Sequence, residues 1–170
     1  MGCFTLTTSF GYSCMTNAIG LKAVSFVPWS ESNILSYIDG SVATIPSGIV
    51  EVYRYKLKAS GNTYVESAPL DAETRTRTYN GVLSLALQGI DLLKRNELKM
   101  LAMGELLIFV EDNNGNVFVV GNEFGAVVAD SVATIGTGYA LTINSFEKEP
   151  VLMLSTAAIT TYKSLWADEK

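Results

Sequence analysis

Thr74-Arg75-Thr76-Arg77-Thr78-Tyr79-Asn80-Gly81-Val82-Leu83-Ser84-Leu85-Ala86-Leu87-Gln88 is the stretch on which the fold turns. It alternates without a break. Successive strand side chains point to opposite faces. Thr74, Thr76, Thr78, Asn80, Ser84 and Gln88 therefore share one face, interrupted by Val82 and Ala86. Arg75, Arg77, Tyr79, Leu83, Leu85 and Leu87 share the other. At about 3.3 Å per residue such a strand reaches roughly 50 Å, far beyond the usual length of about five or six residues. Only its second half is apolar on one face. The Thr/Arg half is expected to lie in solvent, line a cavity or pair with another copy of the chain.

Working outward, Ile49–Lys58 reads as the preceding long strand, folded back against this one. Ile49, Glu51, Tyr53, Tyr55 and Leu57 fall on one side, and Val50, Val52, Arg54, Lys56 and Lys58 on the other. Gly61-Asn62 marks a bulge or turn, Thr63–Ser67 continues the strand, and Pro69–Glu73 forms the return loop. On the far side Asp91 fits an N-cap. A helix over Leu92–Met103 is expected to bury Leu93, Leu98, Leu101 and Ala102 and to stop at Gly104.

The surest hairpin is Glu105–Gly121. Leu106–Val110 and Val117–Val120 flank Asn114-Gly115, and both arms are so continuously apolar that both faces must be covered. Strands over Ala126–Thr134, Tyr139–Phe146 and Val151–Leu154 follow, the first two joined through Gly136-Thr137-Gly138. Leu21–Trp29 is a β-branched and aromatic strand ended by Pro28. Ser30–Asp39 is ambiguous, and Gly40–Ser47 reads as a small strand. The resulting organisation is an N-terminal arm (1–20), one mainly β domain (21–154) with a single flanking helix near 91–103, and a C-terminal tail (155–170). In that tail Ile159, Tyr162 and Trp166 have helical spacing. Trp166 is a candidate docking anchor on a neighbour, or equally a packing residue on its own core.

Composition narrows the chemistry. The 170 residues suffice for one real core. At 48% hydrophobic and 17% charged the chain is not disordered. Net charge is −5 and no run of Lys or Arg grips phosphates, which argues against tight, sequence-specific nucleic-acid binding. There is no histidine, so histidine-based acid–base catalysis, the Ser-His-Asp and Cys-His systems and the commonest zinc ligand sets are excluded. Cys3 and Cys14 read either as a disulfide or as two small buried hydrophobes. Asp112–Asn116 with Glu123 resembles a calcium loop, but Val117 stands where the turn glycine belongs. Gly136-Thr137-Gly138 lacks the third glycine of a dinucleotide turn. Met1-Gly2 lacks the Ser or Thr of a myristoylation signal, because Leu6 stands there. No signal peptide or membrane-spanning run is read, and a soluble, cytoplasmically made protein is expected. No catalytic, metal or cofactor-binding residue is assigned.

The order of elements carries a resemblance. The run Tyr79–Leu87, the helix Asn96–Leu101, the hairpin Val110–Gly115 with Val120-Gly121, the closing Gly136–Ile143 with Glu147-Lys148-Glu149-Pro150, and the opening Gly20–Phe26 are similar to those of tail-tube and tail-ring proteins of tailed bacteriophages. They also resemble the related inner tubes of contractile injection systems. The similarity covers residues 15–154 and is a matter of pattern. It implies a β-sandwich or saddle-like β-barrel, a closed homo-oligomeric ring (six-fold or a multiple), and a virion conduit assembled in the host cytoplasm. Implied partners are other phage tail or connector proteins, with double-stranded DNA passing without specific contact and no membrane. On this reading Thr74, Thr76, Thr78, Asn80 and Ser84 are candidates for a lumen or inter-ring surface, and Gly61, Asn62 and Asp71 for an inter-subunit hairpin. The alternative is an acidic β-barrel binding a small ligand or single-stranded nucleic acid, with Tyr53, Tyr55 and Tyr79 near Arg75 and Arg77.

Overall fold

The computed structural model describes residues 20–58 and 60–167. The proposed N-terminal arm and the Cys3/Cys14 question lie outside them, apart from Gly20. Among the described residues, eleven strands and two α-helices follow one another. They are β1 (Leu21–Pro28), β2 (Tyr37–Ile38), β3 (Ser41–Val42), β4 (Tyr53–Lys56), β5 (Thr63–Ser67), β6 (Tyr79–Gln88), α1 (Leu92–Leu101), β7 (Leu106–Asp112), β8 (Val117–Val120), β9 (Ala126–Thr134), β10 (Gly138–Glu147), β11 (Leu152–Leu154) and α2 (Thr156–Ser164). The chain is mainly β, with a mixed sheet: β3 and β11 run parallel and the other named strand pairs antiparallel.

The β7–β8 hairpin lies at the centre. Gly115 adopts φ 89°, which the tight turn demands. The Asp112 carboxylate accepts from the Asn114 and Asn116 backbone amides. β7 is covered on both sides. Leu106, Ile108 and Val110 enter one core with Val24, Phe26, Leu83, Leu85, Leu141 and Ile143, so β6 and β10 pack across that face. Leu107 and Phe109 enter a second core with Val42, Val52, Leu152, Leu154, Ala158 and Tyr162, so α2 and β11 cover the other. Each fully buried aliphatic or aromatic side chain contributes roughly 1.5–3 kcal/mol.

One sheet supplies both strand layers by bending. β7 touches β9 through a single pair, Leu106 with Ala126, and the chain turns there at Gly121, φ 79°. A Cβ on Gly121 would stand 2.6 Å from the Leu106 carbonyl oxygen and from the Ala126 nitrogen, so the corner requires glycine. Beyond it run β9, β10, β6 and β5 in that order.

Four expectations are corrected. First, the preceding long strand is split, and only its second half, Thr63–Ser67, folds back antiparallel on the long alternating strand as expected. β4 pairs with β1 across the central layer, while β5 pairs with β6. Ile49 and Val52, assigned to opposite faces, are both buried, because the backbone before Tyr53 is not extended into a ladder. Second, the strand begins at Tyr79, not Thr74. The Asp71 carboxylate accepts from the Glu73 and Thr74 amides, the Asp71 amide donates to Thr76, and Arg75 takes a left-handed φ of 54°. These local bonds compete with a ladder and win. Third, the described residues hold two α-helices rather than one, and the C-terminal segment is a core element. Ser155 caps α2, and Tyr162 is fully buried. Fourth, α1 starts where expected, with Asp91 Oδ1 accepting from the Lys94 amide at 2.8 Å. It buries only Leu98, however, and leaves Leu93 76% exposed.

Candidate functional site

The sheet formed by β5, β6, β10 and β9 has an inner face sunk in the first core and an outer face that no described residue covers. Register and alternation define that outer face. Thr63, Val65 and Ser67 of β5 lie beside Ser84, Val82 and Asn80 of β6. Those three in turn face Thr142, Asn144 and Phe146 of β10. β9 adds Val127, Asp130 and Val132. The surface is thus mixed polar–apolar, with Asp130 its single ionisable side chain among these positions and no Lys or Arg. Val65, Val132 and Phe146 are 59%, 50% and 57% exposed, unusually open for apolar strand residues.

Among the described residues, both borders of this sheet are open. β5 pairs only with β6, and β9 beyond Ala126 pairs only with β10. Unsatisfied strand edges invite another chain. One border is the start of the four-stranded run and the other its end, so two copies can pair β5 to β9 without either surface being self-complementary. Such a heterologous contact generates rings where the rotation closes.

The ends of the strands differ in charge. At the Gln88/Gly138 end, a cleft of about 410 Å³ opens between β4, β6 and α1. Lys56, Lys58 and Lys94 stand around it, and Leu57, Leu87 and Leu98 line its walls. At the Tyr79/Glu147 end, Glu123, Glu147 and Glu149 gather beside Tyr37 and Tyr64. Burial, together with the neighbouring Glu123 charge, pushes the Glu147 carboxyl up to about 7, although the Glu123 amide donates to its Oε2 at 3.1 Å. Glu66 lies at the same end and accepts the Val151 amide at 2.8 Å. Burial and the neighbouring Glu66 push the Tyr64 phenol upward.

No family model, curated protein or solved structure matches the chain. The surface must be read from its own chemistry.

Of the residues singled out in the sequence, Asn80 and Ser84 lie on this outer face. Thr74, Thr76 and Thr78 do not; they belong to the loop beyond β6, where the Thr74 and Thr76 hydroxyls hydrogen-bond at 2.7 Å. Asp71 organises the same loop. Gly61 is exposed at the other end of β5, so it and Asp71 flank that strand rather than form one tip. Asn62 is buried: its amide donates to the Lys58 carbonyl and accepts from the Ala86 amide, tying the β4–β5 connection to β6. Trp166 packs on its own chain, edge-on to Tyr162 and 4.3 Å beneath the Arg54 guanidinium. Of the residues weighed as a stacking platform for single strands, Tyr53 and Tyr55 sit on β4, whereas Tyr79 opens β6 just after Arg75 and Arg77 in the preceding loop. The β10 contribution was missed, though Ala140, Thr142 and Asn144 alternating with Leu141 and Ile143 carries the signal. Among the described residues no group of three carboxylate, Cys or His side chains is placed to hold a metal ion, and no helix is long and apolar enough to cross a membrane.

Proposed function

We propose that this chain is a ring-forming structural subunit of a virion tail conduit, of the phage tail-tube type, through which double-stranded DNA passes. The observation that carries the reading is the four-stranded sheet with two open, non-equivalent borders and an outer face without Lys or Arg. Pairing β5 of one copy with β9 of the next satisfies both borders and makes one continuous barrel. Four strands from each of about six copies, spaced about 4.8 Å, would close a circle roughly 37 Å across between backbones. This face, without Lys or Arg, then points inward. It offers phosphates no cation to exchange for their counterions, so the duplex is neither gripped nor trapped. No catalytic step is assigned.

The test is direct imaging. Negative-stain microscopy and mass photometry of the purified chain should show rings whose central opening matches a barrel of this circumference. A species that stays monomeric at high concentration, and that binds oligonucleotide, would instead favour an acidic binding module.

A further inference from the structure

We propose that the cleft beside α1 binds a small amphipathic carboxylate: a single acyl chain whose carboxylate meets Lys58 and Lys94 at the mouth while its hydrocarbon enters between β4, β6 and the helix. The site belongs to one chain and stands apart from the conduit reading.

Charge singles this cleft out. Of the 12 Lys and Arg in the chain, Arg54, Lys56, Lys58 and Lys94 line it, whereas none of the 17 Asp and Glu is among its described lining residues. In a chain of net charge −5 that is a marked segregation. Arg54 is committed to Glu111 in a buried ion pair. The Lys94 ammonium hangs over Gly89, where even an added Cβ would lie 3.2 Å from it. Its present partner is Asp91 at 3.3 Å, but both side chains are about half exposed, and an incoming carboxylate exchanges such a pair at little cost. Lys58 is exposed beside it. Below the ammonium groups the walls turn apolar, with Leu57, Leu87, Leu98 and the Tyr139 ring. At about 410 Å³ the space falls within the range of small-molecule sites.

The other flank of α1 supplies the contrast. A second opening, of about 390 Å³, lies between the helix and β1, with Phe26, Tyr53, Met100 and Leu101 on its walls. Its charged groups are Glu97 and Glu105, with no Lys or Arg. Tyr55 borders both openings, and its hydroxyl donates to Glu97 at 3.1 Å. Two openings of similar size and similar apolar walls therefore carry opposite charge, and an anionic amphiphile is sorted to the lysine side.

Equilibrium dialysis of the full chain against labelled hexanoate, octanoate and decanoate tests this. Octanoate should saturate at one per chain, and each pair of added methylenes should tighten binding about tenfold. Octylammonium, of equal length and opposite charge, should not bind. Lys58→Gln/Lys94→Gln should weaken octanoate at least about fivefold with an unchanged melting temperature, whereas Met100→Gln on the opposite flank should leave it unchanged. No saturable octanoate binding, equal binding of octylammonium, or wild-type affinity in the lysine double variant would overturn the site. Sedimentation of the chain with phosphatidylglycerol vesicles in place of octanoate binding would assign the lysines to a bilayer surface and overturn it too. Rings and monomers can both be dialysed, so failure here leaves the conduit reading untouched, and octanoate binding by a chain that never forms rings would sink the conduit alone.

Discussion

The Arg54 guanidinium meets the Glu111 carboxylate through two parallel hydrogen bonds, Nε to Oε1 at 2.8 Å and Nη2 to Oε2 at 2.9 Å, with the side chains only 7% and 8% exposed. Tyr162 donates to the same Oε1 at 2.9 Å and shares a 2.6 Å hydrogen bond with Ser25. One ionic node therefore binds β4, β7, β1 and α2 together. Removing one partner strands the other in the interior. Glu111→Ala is expected to cost about 3–5 kcal/mol, read as a lower urea midpoint with unchanged slope. A loss below about 1 kcal/mol would show that Arg54 finds water when its partner goes.

The same node sets an acid limit. Burial works to raise the Glu111 pKa, but the hydrogen bonds from Arg54 and Tyr162 outweigh it and hold the carboxyl below its ordinary 4.5. Its stabilisation is therefore fully present above that value and is lost as pH falls through the lower folded pKa.

Glu147 behaves oppositely. Burial lifts it from 4.5 to about 7, so between those values the folded chain holds a proton that the unfolded chain has released. Stability contributed by this group is present below pH 4.5 and declines as pH rises to about 7. Glu147→Gln keeps an oxygen for the Glu123 amide and removes the charge. It should raise stability at pH 8 by about 1–2 kcal/mol, allowing for solvent screening, and change little at pH 4. Thermal melts of both proteins across that range decide it; a constant difference at every pH would show that Glu147 does not titrate in this window.

The C-terminal helix offers a third test. Tyr162→Phe keeps the ring against Phe109, whose centroid is 5.0 Å away, and removes only the hydroxyl. Ser25 and Glu111 then each lose a buried partner, and a loss of about 1–3 kcal/mol in urea unfolding is expected. Trp166→Ala should cost more if its packing on Tyr162 and Arg54 dominates. A Trp166→Ala chain as stable as wild type would return that side chain to the role of an external anchor.

Local signals were legible and long-range ones were not. Asn114-Gly115 announced its hairpin because the turn itself selects those residues, and Asp91 announced α1 because a cap is a local bond. Alternation from Tyr79 to Leu87 assigned the faces of β6 correctly, since one of them is buried. The same alternation misled over Thr74–Thr78. Period two says which side chains would share a face if a strand formed, but not whether a partner strand exists. The competing Asp71 turn is written in a single carboxylate. The helical spacing of α2 was visible but its place in the core was not, because the partners of Tyr162, namely Ser25, Phe109 and Glu111, lie 51 or more positions away in the chain. The outer face was half visible: Asn80 and Ser84 were found, whereas their β10 neighbours needed the register.

The absence of cations on the outer sheet face makes the last prediction. Ser84 and Thr142 are paired across β6 and β10, and both side chains point outward. Replacing both with Lys puts two ammonium groups side by side, at a cost of about 0.2–1 kcal/mol in like-charge repulsion, too little to unfold the domain. Rings should still form. If this face lines the bore, each ring then carries a band of cations around the hole, and linear duplex DNA should be retained by variant rings at about 50 mM salt and released by about 200 mM. Wild-type rings should retain none at either concentration. Co-sedimentation of labelled duplex with assembled rings measures this directly. Equal retention by wild type and variant, or none by either, would mean that DNA does not meet this surface, and the face would have to be reassigned to contacts between subunits.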